Sequence, residues 1–251
     1  MEQRQRVKVE RGRKRVRAYL GGEVIADTRN PLLVWEVPYY PMYYFPLDDV
    51  HLERLTQTDE TTHAPSRGDA RLFDVRGGRG VVRERAAARY DDTPVDELRG
   101  TVRLDWDAMD NWVEEDEPVH VHPHDPYKRI DILGSSRRVR IEVEGVVLAE
   151  STQPRILFET TLPPRYYLPL TDVRLERLLP SATVTGCAYK GFANHWSFLA
   201  DDGREVPDVA WTYWAPLAEA VKITGLVCFY DERVDVFIDG ELQSRPRTHF
   251  S

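Results

Sequence analysis

The chain is poor in several things. It has two cysteines in 251 residues, Cys187 and Cys228, with no CxxC pair and no zinc-ligand spacing, which excludes a disulfide scaffold and a zinc ribbon. It has only five lysines against 29 arginines. No apolar run approaches the roughly 18 residues that a spanning helix requires. The opening MEQRQRVKVERGRKR has no apolar core of the kind a secretion signal carries, so a soluble, cytoplasmic protein is expected. A positive excess is also missing. The net charge is −8 and the pI about 5.5, which argues against a general attraction to nucleic acid. The eight basic residues from Arg4 to Arg17 read instead as a solvated leader running into a strand marked by Val7, Val9 and Val16.

What is present is a duplication. Arg15-Val16-Arg17, a glycine turn and Val24-x-Ala26 lead to Pro31, Glu36, Tyr43-Tyr44 and Asp49-Val50. The same script restarts at Arg138, with 19 identities over the 41 positions from Arg15 to Leu55 at a constant offset of 123. Short alternating runs separated by Gly and Pro predict a mainly β protein. The expected architecture is two small antiparallel domains, barrel-like or tent-like, with one or two short helices. Their bounds are 1–134 and 135–251.

The register continues past the identities. Gly68 faces Gly191, Ala70 faces Ala193 and Tyr90 faces Tyr213, yet Ala64 stands for Cys187, Arg67 for Lys190, Leu72 for His195 and Ala88 for Trp211. The second copy therefore carries the chemically distinctive side chains. Within the first copy, Trp106, Met109, Trp112 and Val113 lie at helical spacing and predict a short inserted helix over 105–114. Thr56–Asp69 and Ala200–Pro207 read as polar loops, and Pro216–Val221 as one or two helical turns. Leu226–Tyr230 with Val234–Gly240 reads as a closing hairpin, and Ser244–Ser251 as a polar, frayed tail. His120, His122 and His124 alternate as metal ligands on one strand would. Pro123 and the lack of nearby cysteines favour a plain connection there, and no metal is expected.

These residues resemble a known family. Tyr166-Tyr167-Leu168-Pro169 with Asp172-Val173, Thr185-Gly186-Cys187-Ala188-Tyr189-Lys190-Gly191, Trp211-Thr212-Tyr213 with Pro216, and Phe229-Tyr230 before Val234-Asp235-Val236 are similar to domain of unknown function (DUF) 427, also labelled NTP-transferase-like. Ala188 stands where that family usually has proline. The resemblance implies a compact β domain used twice and supplies no reaction or cofactor. Nucleotide transfer is not supported by the residues, which include neither a P-loop nor a Gly-Ser pair followed by Asp-x-Asp.

Three functions are open at this level. In the first, Arg165, Tyr189, Lys190, Trp196, Trp211, Tyr213 and Trp214 form an aromatic and basic pocket that binds an unidentified small molecule without catalysis. In the second, the module is structural or docks a protein partner through its aromatic residues. In the third, Cys187 is a nucleophile activated by His195 or Lys190. Glu159 and Asp172 recur as Glu36 and Asp49, which makes them framework: a buried partner for arginine and a turn or cap acceptor.

Overall fold

The computed structural model describes residues 7–248; Arg4 and Arg6 of the basic leader and residues 249–251 of the tail lie outside them. The chain forms two compact units, Met1–Asp125 and Pro126–Ser251. The division precedes the 134/135 boundary read from the repeat, because Ile130–Gly134 is a strand of the second unit, paired with Arg155–Glu159. Among the described residues no helix is long and apolar enough to cross a membrane.

Each unit contains one seven-stranded and one four-stranded antiparallel sheet, all of them open. In the first unit the large sheet runs in the order Lys8–Arg11, Leu32–Val37, Tyr40–Pro46, Thr101–Leu104, Val82–Tyr90, Gly68–Arg76, Leu55–Ala64. In the second the same order is Ile130–Gly134, Arg155–Glu159, Arg165–Leu168, Val227–Phe229, Glu205–Thr212, Gly191–Leu199, Leu178–Cys187. The small sheets are built on Val16–Leu20 and Val139–Val143, each a hairpin arm in which buried and half-buried residues alternate strictly. That period-2 pattern turns one face of each small sheet onto its large sheet.

Each large sheet buries side chains on both faces. In the second unit, Leu168, Phe198, Ala210 and Val227 pack against Val139, Ile141, Val236 and Ile238 of the small sheet. On the opposite face Leu157, Tyr167, Trp211, Tyr213 and Cys228 pack under Ala220 and Ile223 of the 3₁₀ turn Ala218–Ile223, near the helical turn expected after Pro216. The first unit has the same two cores. There the outer one holds Met42, Tyr44, Ala88 and Tyr90 under Leu98.

Three local expectations fail, each for a physical reason. Residues 105–114 do not form a helix: Trp106 to Asp110 turn, and Asn111–Glu114 is a strand in which Trp112 faces Ala18. The apolar spacing arises because Trp106 and Trp112 stack at 4.7 Å across that turn. The segment is no insertion either, since Asp235–Ile238 pairs with Val139–Val143 in the same way. Val227–Phe229 and Asp235–Ile238 are not a hairpin but belong to different sheets, the chain crossing between them at 230–234. Thr56–Asp69 is mostly strand, as Leu55–Ala64 is the edge of the large sheet. It is solvated along most of its length, so it lacks the apolar alternation that marks half-buried strands.

Several described residues of the basic leader pair with acids of their own unit. Lys14 reaches Glu114 at 2.5 Å, Arg15 pairs with Asp27 at 2.7 Å and Arg17 with Asp116 at 2.7 Å.

Candidate functional site

The Leu178–Cys187 and Gly191–Leu199 strands form a hairpin closed by Ala188, Tyr189 and Lys190. Gly191 permits the closure by taking φ of +88°, as Gly68 does at +81° in the first unit. The turn tucks Tyr189 and Lys190 into the unit and leaves Cys187 half-buried at the rim. Lys190 Nζ donates to Glu159 Oε2 at 2.5 Å, and Lys128 Nζ stands 4.0 Å from the other carboxylate oxygen. Burial opposes the charge on Lys190. The Cys187 sulfur and the Glu159 carboxylate outweigh it and hold the ammonium above the usual lysine range.

Glu36 is the same device in the first unit, meeting Arg67 at 3.2 Å and Arg103 at 2.8 Å and accepting from the Tyr44 hydroxyl at 2.8 Å. The carboxylate–cation pair recurs in both units, but the arginine expected beside Glu159 is a lysine, because Lys190 stands where the first unit has Arg67. Cys187 is an addition, since Ala64 stands in its place.

Across the outer face of the second large sheet, His195 faces Trp211, Trp211 faces Cys228, and Cys228 faces Tyr167. Trp211 Nε1 donates to the Tyr167 hydroxyl at 3.1 Å, and its ring lies 4.5 Å from that of Tyr230. At the corresponding first-unit positions Ala88 faces Arg103, and Arg103 faces Tyr44. A large–small pair, Trp211 with Cys228, thus replaces a small–large pair, Ala88 with Arg103. Burial raises the pKa values of Tyr213, Tyr167 and Cys228 well out of the physiological range, so all three stay protonated and neutral.

Arg165 is buried beside this row. It donates from Nη1 and Nη2 to Glu232 at 2.8 and 2.6 Å, stands 3.8 Å from Asp231, and lies 5.7 Å from the Trp211 ring centre. Burial works against its charge, but the Glu232 hydrogen bonds hold its pKa above the arginine norm.

The residues singled out in the sequence fall into separate groups. Tyr189, Lys190, Arg165, Trp211 and Tyr213 are all buried. Trp196 points toward the inter-sheet core, bonded to Thr212 Oγ1 at 3.0 Å, with its ring edge-on to half-exposed Trp214. His195 does not serve Cys187: its Nε2 meets Thr185 Oγ1 at 2.9 Å and its ring lies parallel to Tyr230 at 6.0 Å. Burial, helped by Arg233, lowers the His195 pKa and keeps the imidazole neutral.

The three alternating histidines also part company. His122 stacks on Tyr40 at 4.0 Å and His124 Nδ1 meets Glu114 at 3.1 Å, and the strand there ends at Val119. No group of three or more metal-ligating side chains is gathered among the described residues.

Tyr167, Cys228, Asp231 and Glu232 complete the cluster, and none of them is among the site residues expected from the sequence. Arg103 and Cys228 are equivalent only at an offset of 125, two residues beyond the repeat offset, so an ungapped comparison hides their exchange.

No curated protein matches the chain. Residues 8–115 and 131–240 each match one family, so that nearly the whole chain is two copies of a single domain, and the protein belongs to the family described as Domain of unknown function (DUF427).

Proposed function

We propose that the second unit is a non-enzymatic small-molecule-binding module and that the first is its structural partner. The supporting observation is the contrast between two units with one strand order. Where the first packs Met42, Ala64, Leu72 and Ala88, the second carries Arg165, Cys187, His195 and Trp211. The first unit demonstrates that this fold does not need those side chains, and burying polar groups is unfavourable unless they are matched. Their presence is therefore attributed to a ligand that approaches at the Cys187 rim, with Lys190 and Glu159 behind it. Two free thiols in one unit suit a reducing compartment, and a cytoplasmic location is part of the proposal.

The test uses the first unit as donor of substitutions. Cys187→Ala with Lys190→Arg installs residues that the fold already accepts at Ala64 and Arg67. Parent and variant are screened by thermal shift against nucleotides, nucleobases, amines, carboxylic acids and sugars. Ligand at about a hundred times its Kd adds about 2.7 kcal/mol. A compound that raises the parent's Tm and leaves the equally stable variant unmoved supports the reading. A panel in which every hit shifts both proteins equally rejects it.

One observation favours a second reading, in which Cys187 is a nucleophile: it is partly open to solvent and interacts electrostatically with the Lys190 ammonium. Turnover of a thioester or aldehyde that Cys187→Ala abolishes, with binding retained, would select it.

A further inference from the structure

Away from the Cys187 rim, the second unit contains a cavity of about 150 Å³. It is lined by Tyr166, Asp231, Val236, Pro163, Pro164 and Gln243. An engineered protein cavity of about that volume holds one benzene ring.

The first unit says what shape suits this space. Tyr43 is the repeat equivalent of Tyr166. Trp112, opposite Ala18, is equivalent to Val236, opposite Ile141. Trp106 is equivalent to Asp231, because the preceding residues, Asp105 and Tyr230, make matching backbone bonds to Ala86 and Val209. In the first unit the two indoles stack at 4.7 Å, with the Tyr43 ring 6.3 and 5.9 Å from them. The second unit replaces both indoles, one by valine and the other by a carboxylate, and a cavity stands beside them. The missing volume is aromatic, and the added group is an acid.

Asp231 is 8% exposed and weakly matched. Arg165 directs both terminal nitrogens to Glu232 and remains 3.8 Å from Asp231, outside hydrogen-bond reach. Glu232 also accepts from Thr248 Oγ1 at 2.5 Å. The neighbouring arginines are engaged by other acids, Arg245 by Asp235 at 2.8 Å and Arg137 by Asp239 at 3.1 Å, so Asp231 is the carboxylate at the cavity without a hydrogen-bonded guanidinium.

We propose that this cavity binds a single-ring aromatic cation, an amidine or amine whose ring takes the place of the first unit's indoles and whose N–H groups donate to Asp231. The site is separate from the Cys187 rim and does not depend on the function proposed for it. Burial raises the Asp231 carboxyl to about 7, against the pull of Arg165, with Glu232 adding to the rise. Tyr166 stays neutral, and buried Cys228 stays a thiol. Binding is accordingly strongest above neutral pH, where Asp231 is ionised, and fades below it.

The test is calorimetric titration of the full chain at pH 8 with benzamidine, with the anion benzoate as the control of opposite charge. The expected result is one site per chain for benzamidine, no binding of benzoate, and a loss of about ten- to a hundredfold in Asp231→Asn. Val236→Trp restores the first unit's indole and is expected to abolish binding. Asp231→Asn, nearly isosteric, carries the test alone if Val236→Trp does not fold. Benzamidine binding unchanged in Asp231→Asn, equal binding of benzoate, or no benzamidine binding to the parent at millimolar concentration overturns the proposal.

Discussion

Replacing Trp211 with alanine isolates the large–small exchange on the outer face. The indole is 8% exposed and packs among Leu157, Tyr167 and Ile223. Truncating a buried tryptophan costs about 3–5 kcal/mol, and the Tyr167 hydroxyl also loses its donor, adding about 1 kcal/mol. Cys228→Arg alone forces a long side chain against the indole and costs about 1–3 kcal/mol for overpacking, with an added desolvation penalty. The double substitution recreates the arrangement of Ala88 and Arg103, in which the guanidinium reaches Glu36 at 2.8 Å. By analogy the new arginine fills the space left by the indole and reaches Glu159. The double variant is expected to be more stable than the sum of the singles by about 2 kcal/mol, within the range for contacting residues. Calorimetric unfolding of the four proteins completes the cycle, with the Trp211→Ala transition falling by roughly 12–20 °C. Singles that add to within about 0.5 kcal/mol, or a Trp211→Ala cost below about 1 kcal/mol, refute the reasoning.

Other substitutions test the remaining contacts. Lys190→Met leaves the Glu159 carboxylate buried with only Lys128 at 4.0 Å, so a loss of about 3 kcal/mol is expected in urea denaturation, against less than about 1 kcal/mol for Lys190→Arg. Iodoacetamide is expected to label native protein at Cys187 alone, because Cys228 is fully buried; peptide mass mapping reads the sites, and early labelling of Cys228 contradicts the fold. Glu114 is buried, but hydrogen bonds from His124, Lys14 and Tyr43 outweigh that burial and lower its carboxyl to about 2 from 4.5. Its contribution of about 3 kcal/mol is present above pH 4.5 and is lost as pH falls toward 2; acid unfolding of Glu114→Gln therefore loses that part of its slope.

The strands that were legible in the sequence are those with one wet face. Val16–Leu20 and Val139–Val143 alternate cleanly, and the repeat then carried the assignment to less regular segments. Leu55–Ala64 was misread because, as an edge strand, it has no apolar face to signal its period. Trp106 and Trp112 were misread because two rings stacked across a turn leave the same sequence spacing as a helix stripe. The pairing of Lys190 with Glu159 is half legible, since the duplication marks Glu159 as a buried partner of arginine, and the structure supplies a lysine instead. The Trp211–Cys228 exchange was hidden by the shift in offset after Tyr90 and Tyr213, where the loops differ in length.

The long outer strands have a consequence for how such a chain is made. Leu55–Ala64 and Leu178–Cys187 end their large sheets, and both ladders break at the same place, between Gln57 and Thr61 and between Pro180 and Val184. Two halves that share one topology are at risk of exchanging strands as they emerge from synthesis, since each sheet edge is a template for the wrong partner. A break that adds unpaired residues, reinforced by Pro180 in one copy and by Asp59 and Glu60 in the other, shortens the row of aligned backbone donors that an intruding strand needs. The duplicated chain thereby keeps the irregularity that lets its two copies mature as neighbours without becoming entangled.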